Sequence, residues 1–472
     1  MARRYNTGVS RLLLSVLAGL VLALLFTASP VGVIVLATAP VVAYVAARRL
    51  DRDERRVLFT IFGVALLARL VAILAIFALG IPEHSDLALG SLTGDQAYNV
   101  SRALRTRDIL RGFGGLTHYD YFVTTDEYGR TSYIGLLTVL QYVFGPSPFG
   151  LRLLNALLFV TGAAVLFRTL RPRFGMMAAS LGLIVVVVLP SLFYSSISVL
   201  KEPLYFLASS LCLSAAIGLG RRREASSWIG LALLVLICIW ILDDLRRGAV
   251  VLSLAGLACG VAIRVIGSTR WPLVTTATLL IAAMGIIAIV PPLQQRALTG
   301  ISTAAKQHSG HVFTRGHAYK LLDEGFYMNP ATPAASTIVL TPWQAARFVA
   351  RSAASFILTP LPWEARSLSE RAYLPEHLLW YLLVLMLPFG IAEGWRRDPW
   401  ATSMVIGFVL PTAAALAMTN GNVGTLLRLR GLVTPYIAWV SMLGFCVVAE
   451  WCCVRWRGMP GVARVQSVES GA

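Results

Sequence analysis

Twelve apolar runs, each of a length to cross a bilayer as a helix, dominate this chain and leave little else for it to fold around. The first six lie at about 11–28, 31–47, 57–80, 147–167, 174–190 and 203–219. The second six lie at about 227–242, 249–268, 272–293, 374–393, 400–418 and 432–450. With 57% hydrophobic and 14% charged residues among 472, the pattern predicts an all-α polytopic membrane protein of about 12 transmembrane helices with two larger extracytoplasmic loops. The first run follows Arg3 and Arg4 as a signal peptide would, but a second apolar run follows at once, so it reads as a retained anchor. The expected divisions are 1–56, an N-terminal hairpin and linker; 57–293, a transmembrane core; 294–373, an outer loop region; and 374–472, C-terminal helices with a basic tail.

A formal charge of +18 could suggest nucleic acid, yet the arginines come in short clusters between spans instead of one stripe. No nucleic-acid partner is expected. The clusters at Arg48 to Arg56, Arg168 to Arg173, Arg221 to Arg223, Arg396 with Arg397, and Arg455 with Arg457 fall on alternate loops, which the positive-inside rule turns toward the cytoplasm. Cys212, Cys238, Cys259, Cys446, Cys452 and Cys453 fall in spans or the last tail without metal-ligand spacing, so neither a disulfide framework nor a zinc site is implied.

That orientation places 81–146, 191–202, 243–248, 294–373 and 419–431 outside. Two of these are long, which suggests that something is bound or processed there. In the first, SLTGDQAYNVSRALRTRD at 91–108, Asp95 opens a stretch in which Tyr98, Arg102 and Arg105 recur at helical spacing. Alone, Asp95 reads as a helix cap favoured by the dipole. Lys201 and Glu202 stand together at a span mouth, and adjacent residues on a helix do not face each other. Arg246 and Arg247, with Asp243 and Asp244, occupy the next outer turn, and Arg428 and Arg430 the last. Each arginine alone reads as a snorkelling side chain. Four basic groups on one face point instead to an anionic ligand, and a lipid phosphate fits that depth. Arg69, in mid-span, must face the bundle interior, with structural pairing and a ligand role both open.

One carboxylate with several cations is the kit for moving a sugar from a polyprenyl phosphate. A base takes the acceptor's proton, and no general acid is needed because phosphate leaves readily. A glycoside hydrolase would need two flanking carboxyl groups. With D-x-x-Y at Asp95 and Tyr98, the run YIGLLTVLQYVFGPSPFGLRLLNALLFVTGAAVLFRTL at 133–170 and LPSLFYSSISVLKEPLYF at 189–206, residues 57–220 resemble the GT-C class of integral-membrane glycosyltransferases. That class is related to protein O-mannosyltransferases and aminoarabinose transferases. The resemblance implies that Asp95 is the catalytic base and that the 196–202 segment helps position donor and acceptor. Many members carry a second acidic residue after the aspartate, where this chain has Gln96; Asp120, Asp126 and Glu127 could stand in. The segments 358–390 and 421–436 are similar to enzymes of bacterial exopolysaccharide assembly, which bears on substrate class.

The expected catalytic residue is Asp95. Tyr98, Arg102, Tyr119, Lys201, Glu202, Arg246, Arg247, Arg428 and Arg430 are the expected substrate-binding residues. No metal site and no cofactor are expected. The expected partners are a polyprenyl-phosphate-sugar donor, a lipid-linked or envelope glycan acceptor and membrane lipids, at an extracytoplasmic site on the cell membrane. His308, His311 and His317 read as surface histidines. Tyr121, Tyr128, Tyr133, Trp343 and Trp363 read as interfacial aromatics. The rivals are a flippase for lipid-linked oligosaccharide, whose basic residues would line a central cavity, and a polymerase or ligase centred on Arg315, His317 and Arg351. A scaffold is the third, and would tolerate all these substitutions.

Overall fold

The computed structural model describes Val16, Gly19 and residues 29–78, 94–113, 132–221, 224–314, 317–327, 338–364 and 371–457, without the side chains of Asp95 and of 454–457. The apolar run at 11–28 and the positions Tyr119, Asp120, Tyr121, Asp126, Glu127, Tyr128 and Arg315 lie outside the described side chains and contacts, apart from Val16 and Gly19. Every named element is a helix. In lipid a helix satisfies its own backbone, which is why long apolar runs take this form.

Among the described residues, ten helices are long and apolar enough to cross a membrane. This is a multi-pass helical membrane protein. In chain order the first helices are α1 (Pro30–Ala47), α2 (Arg52–Ala78), α3 (Gly94–Leu110), α4 (Ser132–Phe144) and α5 (Pro148–Phe174). They are followed by α6 (Met176–Val188), α7 (Pro190–Ile197), α8 (Glu202–Leu219), α9 (Ala225–Leu245), α10 (Ala249–Gly267) and α11 (Pro272–Ile289). The remainder are α12 (Pro291–Val312), α13 (Pro342–Leu358), α14 (Leu374–Arg397), α15 (Pro399–Thr419), α16 (Val423–Arg430) and α17 (Thr434–Arg457).

The run expected as one span at 174–190 is instead the first part of a bent pair, α6 and α7. The cause is Pro190: its ring excludes the helical conformation at the residue before it, and Leu189 sits at ψ 123°. The chain divides into two compact units. The first comprises 1–168, 192–214 and 233–250, and the second 169–191, 215–232 and 251–472.

Within the first unit, Arg69 on α2 is fully buried. Its Nε donates to Ser196 Oγ at 2.7 Å and its Nη1 to the Ala65 carbonyl at 3.1 Å. The guanidinium also stands 5.1 and 4.7 Å from the Phe159 and Phe193 ring centres. The interior placement expected for Arg69 is what the fold contains.

Within the second unit, α14 and α17 approach through glycine. A Cβ on Gly390 would run into the Val440 carbonyl, and one on Gly444 into the Met386 carbonyl. Without a hydrophobic driving force between spans, such small residues let backbones come close enough for dispersion to hold them. Ser441 Oγ adds a hydrogen bond to the Leu383 carbonyl at 2.7 Å across the same pair. Outside the spans, α12 and α13 enclose a small core of Ala305, Leu321, Leu322, Tyr327, Leu340 and Phe348.

Candidate functional site

The first unit holds a stretch of irregular backbone, Ser198 to Lys201, between α7 and α8. Ser198, Val199 and Leu200 are buried, so their main-chain polar groups need protein partners. Asn155 on α5 supplies one Nδ2 donor to the Ser198 carbonyl at 2.6 Å and to the Leu200 carbonyl at 2.8 Å. Tyr133 OH donates in turn to Asn155 Oδ1 at 3.3 Å, and Arg152 Nη1 holds the Ile197 carbonyl at 3.1 Å.

Helix α3 completes the cage. Gln96 Oε1 accepts from the Val199 amide at 3.2 Å and Asn99 Nδ2 donates to the Val199 carbonyl at 3.1 Å. Buried Gln96, Val100, Ala103 and Thr106 form the helical stripe that docks α3. Asp95 is the second residue of this helix, in the turn where the dipole favours a carboxylate, and adjoins Gln96. The α3 start is therefore pinned to the segment that leads directly into Lys201 and Glu202.

Glu202 opens α8, is 9% exposed, and accepts from Arg246 Nη2 at 3.1 Å. The same guanidinium lies 5.8 Å from the Tyr205 ring centre. Neighbouring aspartates shape the turn that carries Arg246. Asp243 Oδ1 accepts from the Gly248 and Val250 amides at 3.0 and 3.1 Å, and Asp244 accepts from the Ser132 amide. Gly248 sits at φ +87°, a conformation that favours glycine. Lys201 is half-buried and Arg247 is exposed. Arg102 lies over the half-exposed Tyr98 ring, 4.5 Å from its centre, one helical turn away.

Thus three separated stretches that the sequence picks out, 95–102, 201–202 and 246, belong to one hydrogen-bonded assembly in the first unit. Arg428 and Arg430 belong to the second. Arg428 is exposed. Arg430 is 4% exposed, and its Nη2 donates to the Phe356 and Thr359 carbonyls at 2.5 and 2.6 Å, the last acceptors of α13. Its guanidinium lies alongside the Phe356–Trp380 pair, 5.5 and 5.1 Å from the ring centres, and burial pulls its pKa down to about 10. Arg430 lines a cleft with Glu376, His377, Trp380 and Thr434. Glu376 receives the Ser191 amide at 2.8 Å and the Ser191 hydroxyl.

Two sequence readings need correction. His308 is not a surface residue: it is fully buried, and its Nδ1 is 2.5 Å from the Asn420 carbonyl, an arrangement that makes Nδ1 the donor. It sits edge-on to Tyr319, Tyr327 and Phe348 because amphipathic α12 turns this face into the small core. Tyr133 is likewise 1% exposed and holds Asn155, not a headgroup. Among the described residues, no three histidine, cysteine or acidic side chains come together in a metal-ligating group.

Gln96, Asn99, Tyr133, Arg152 and Asn155 carry the cage, and sequence reasoning passed over all five as functional. Arg152 and Asn155 had a signal, since polar side chains inside an apolar run are retained only where they find partners. Asn155→Ala strips the donor from two buried carbonyls, at a cost on the order of 1–3 kcal/mol for each. A lower thermal midpoint is expected, and a midpoint equal to wild type would contradict the cage.

Burial lowers the His308 pKa from 6.5 to about 4. The unfolded chain therefore takes up this proton first as pH falls, so the stability linked to His308 is full above about 6.5 and declines toward about 4. Thermal midpoints measured from pH 7.5 to 4.5 should fall more steeply for wild type than for His308→Gln. Equal slopes would remove His308 from the account.

Comparison with known proteins adds no assignment: no family model matches the chain, and no curated protein matches it.

Proposed function

We propose that this chain is a membrane glycosyltransferase of GT-C type that moves a sugar from a polyprenyl phosphate to a lipid-linked glycan or other cell-envelope acceptor. The observation that carries the reading is the docking of α3, with Asp95 in its first turn, onto the caged segment that leads into Lys201 and into Glu202, which is paired with Arg246. A carboxylate and cations at the mouth of a broken span make a site where a lipid phosphate can be held while a hydroxyl is activated.

In this reading Asp95 removes the proton from the acceptor hydroxyl. The freed oxygen attacks the anomeric carbon, the bond from that carbon to the phosphate oxygen breaks, and polyprenyl phosphate departs with that electron pair. The anomeric configuration inverts. Lys201 and Arg246 stabilise the charge gathering on the phosphate, with Arg247 at the exposed rim, and Glu202 fixes Arg246 in place. Tyr98 with its stacked Arg102 offers the sugar a polar and aromatic rim. The chemistry proposed calls on no metal or cofactor.

The proposal includes twelve spans, with the bent α6–α7 pair counted as one and the run at 11–28 as another, and the site on the extracytoplasmic side of the cell membrane. Polysaccharide or envelope assembly is the setting that fits a lipid-linked donor. The test is transfer by the purified chain in nanodiscs, offered a pool of polyprenyl-phosphate sugars and envelope lipid acceptors. A glycosylated acceptor with release of polyprenyl phosphate is the expected product. Movement of lipid-linked oligosaccharide across liposomes without any transfer would replace this reading with a flippase.

A further inference from the structure

Among the described residues, one helix outside the spans has an apolar stripe packed on protein and further apolar surface that is exposed. On α13, Ala345, Phe348, Ser352 and Phe356 are buried in the second unit. The apolar surface left outside that stripe runs around the helix from Val349, next to the buried edge, through Ala353, Ala346, Ile357 and Ala350 to Trp343, with Val349 38%, Ile357 39% and Trp343 74% exposed. Gln344, Arg347 and Arg351 break its hydropathy, so α13 cannot serve as a span.

Both ends of the helix are fixed, which holds this apolar side outward. Thr341 and Gln344 form a reciprocal capping box at the start. At the other end Arg430 takes the terminal carbonyls, Trp380 Nε1 donates to the Ile357 carbonyl at 3.0 Å, and Tyr381 OH donates to the Leu358 carbonyl at 2.7 Å. Trp380 and Tyr381 belong to the span α14, whose exposed apolar side begins beside them at Leu378 and runs on through Leu385. The C-terminal end of α13 is thus tied by two hydrogen bonds to the start of a helix long and apolar enough to cross a membrane.

We propose that α13 lies along the bilayer interface at the Leu374 end of α14, with its Trp343, Val349 and Ile357 side in the headgroup and upper acyl region. Lipid is the one occupant that suits such a side. An amphipathic helix with a wide apolar face, an indole at one end and arginines on its flank settles at the headgroup boundary. Arg347 and Arg351 are 3.3 and 3.5 Å from Asp323, which sets them on the flank where headgroup phosphates lie. This assignment is independent of the transferase reading.

Photo-crosslinking of the full chain tests it. A benzophenone amino acid is placed at Val349, at Ala353, at the lipid-facing Leu385 and at Lys320, each protein reconstituted in nanodiscs of phosphatidylethanolamine and phosphatidylglycerol. Lipid adducts at Val349 and Ala353 with yields comparable to Leu385, and none at Lys320, are expected. Adducts to a second chain, or no adduct at Val349 and Ala353 while Leu385 gives one, would overturn the proposal. Two independent positions guard against one variant that fails to fold.

Discussion

Asp95→Asn is expected to lower sugar transfer about 10²- to 10⁴-fold, the range that a positioned base contributes, while the purified variant keeps its elution profile and thermal midpoint. The amide keeps the size and polarity of the carboxylate and removes its charge and its ability to take a proton. Because Asp95 lies in the first turn of α3, the substitution also removes a favourable dipole interaction of about 0.3–1 kcal/mol, far too little to unfold a docked helix. The docking itself rests on Gln96 and Asn99, which are untouched. Donor binding should persist, since the cations that hold phosphate are separate residues. Equal transfer by wild type and variant would move the base elsewhere.

The largest effect on stability is expected at Gly390→Val. A side chain there meets the Val440 carbonyl, which is backbone and cannot swing aside, so α14 and α17 must separate along their whole contact. Overpacking typically costs about 1–3 kcal/mol, and a clash between two backbones belongs at or beyond the top of that range. Gly285→Val on α11 is the matched control, because nothing lies within 4 Å of its added Cβ. Denaturation in mixed micelles should show a strongly destabilised Gly390→Val and a Gly285→Val close to wild type. Similar midpoints for both would contradict the close approach.

The spans were legible because burial in lipid asks only for length and apolarity, which a single sequence displays directly. The break at Pro190 was less so. The proline marks an end to α6, but the short α7 beyond it continues an apolar stretch, and only the backbone shows that Ser198 to Lys201 then leaves the helix. Lys201, Glu202 and Arg246 stand out as charges at the mouths of spans, and Asp95 as the acidic residue that opens a helical stretch in the first long outer segment. Gln96 and Asn99 do not, because on a polar helix outside the spans they look like solvated residues, and their partners lie about a hundred positions away.

Arg430 illustrates the converse. Its charge and position suggest phosphate, whereas its Nη2 donates to carbonyls at the end of α13, a long-range pairing that no local pattern encodes. The burial of His308 escapes the local sequence for a related reason. The 294–373 segment is polar enough to pass for solvated loop, and only the pairing of amphipathic α12 with α13 gives it a core in which a histidine can be buried.

The most direct measurement is an experimental map of the chain in nanodiscs with polyprenyl phosphate bound. The account predicts phosphate density within hydrogen-bond reach of Lys201 and Arg246, on the side of that assembly where α3 begins. Density on other residues, with Lys201 and Arg246 remote from it, would contradict the assignment of this assembly as the catalytic site.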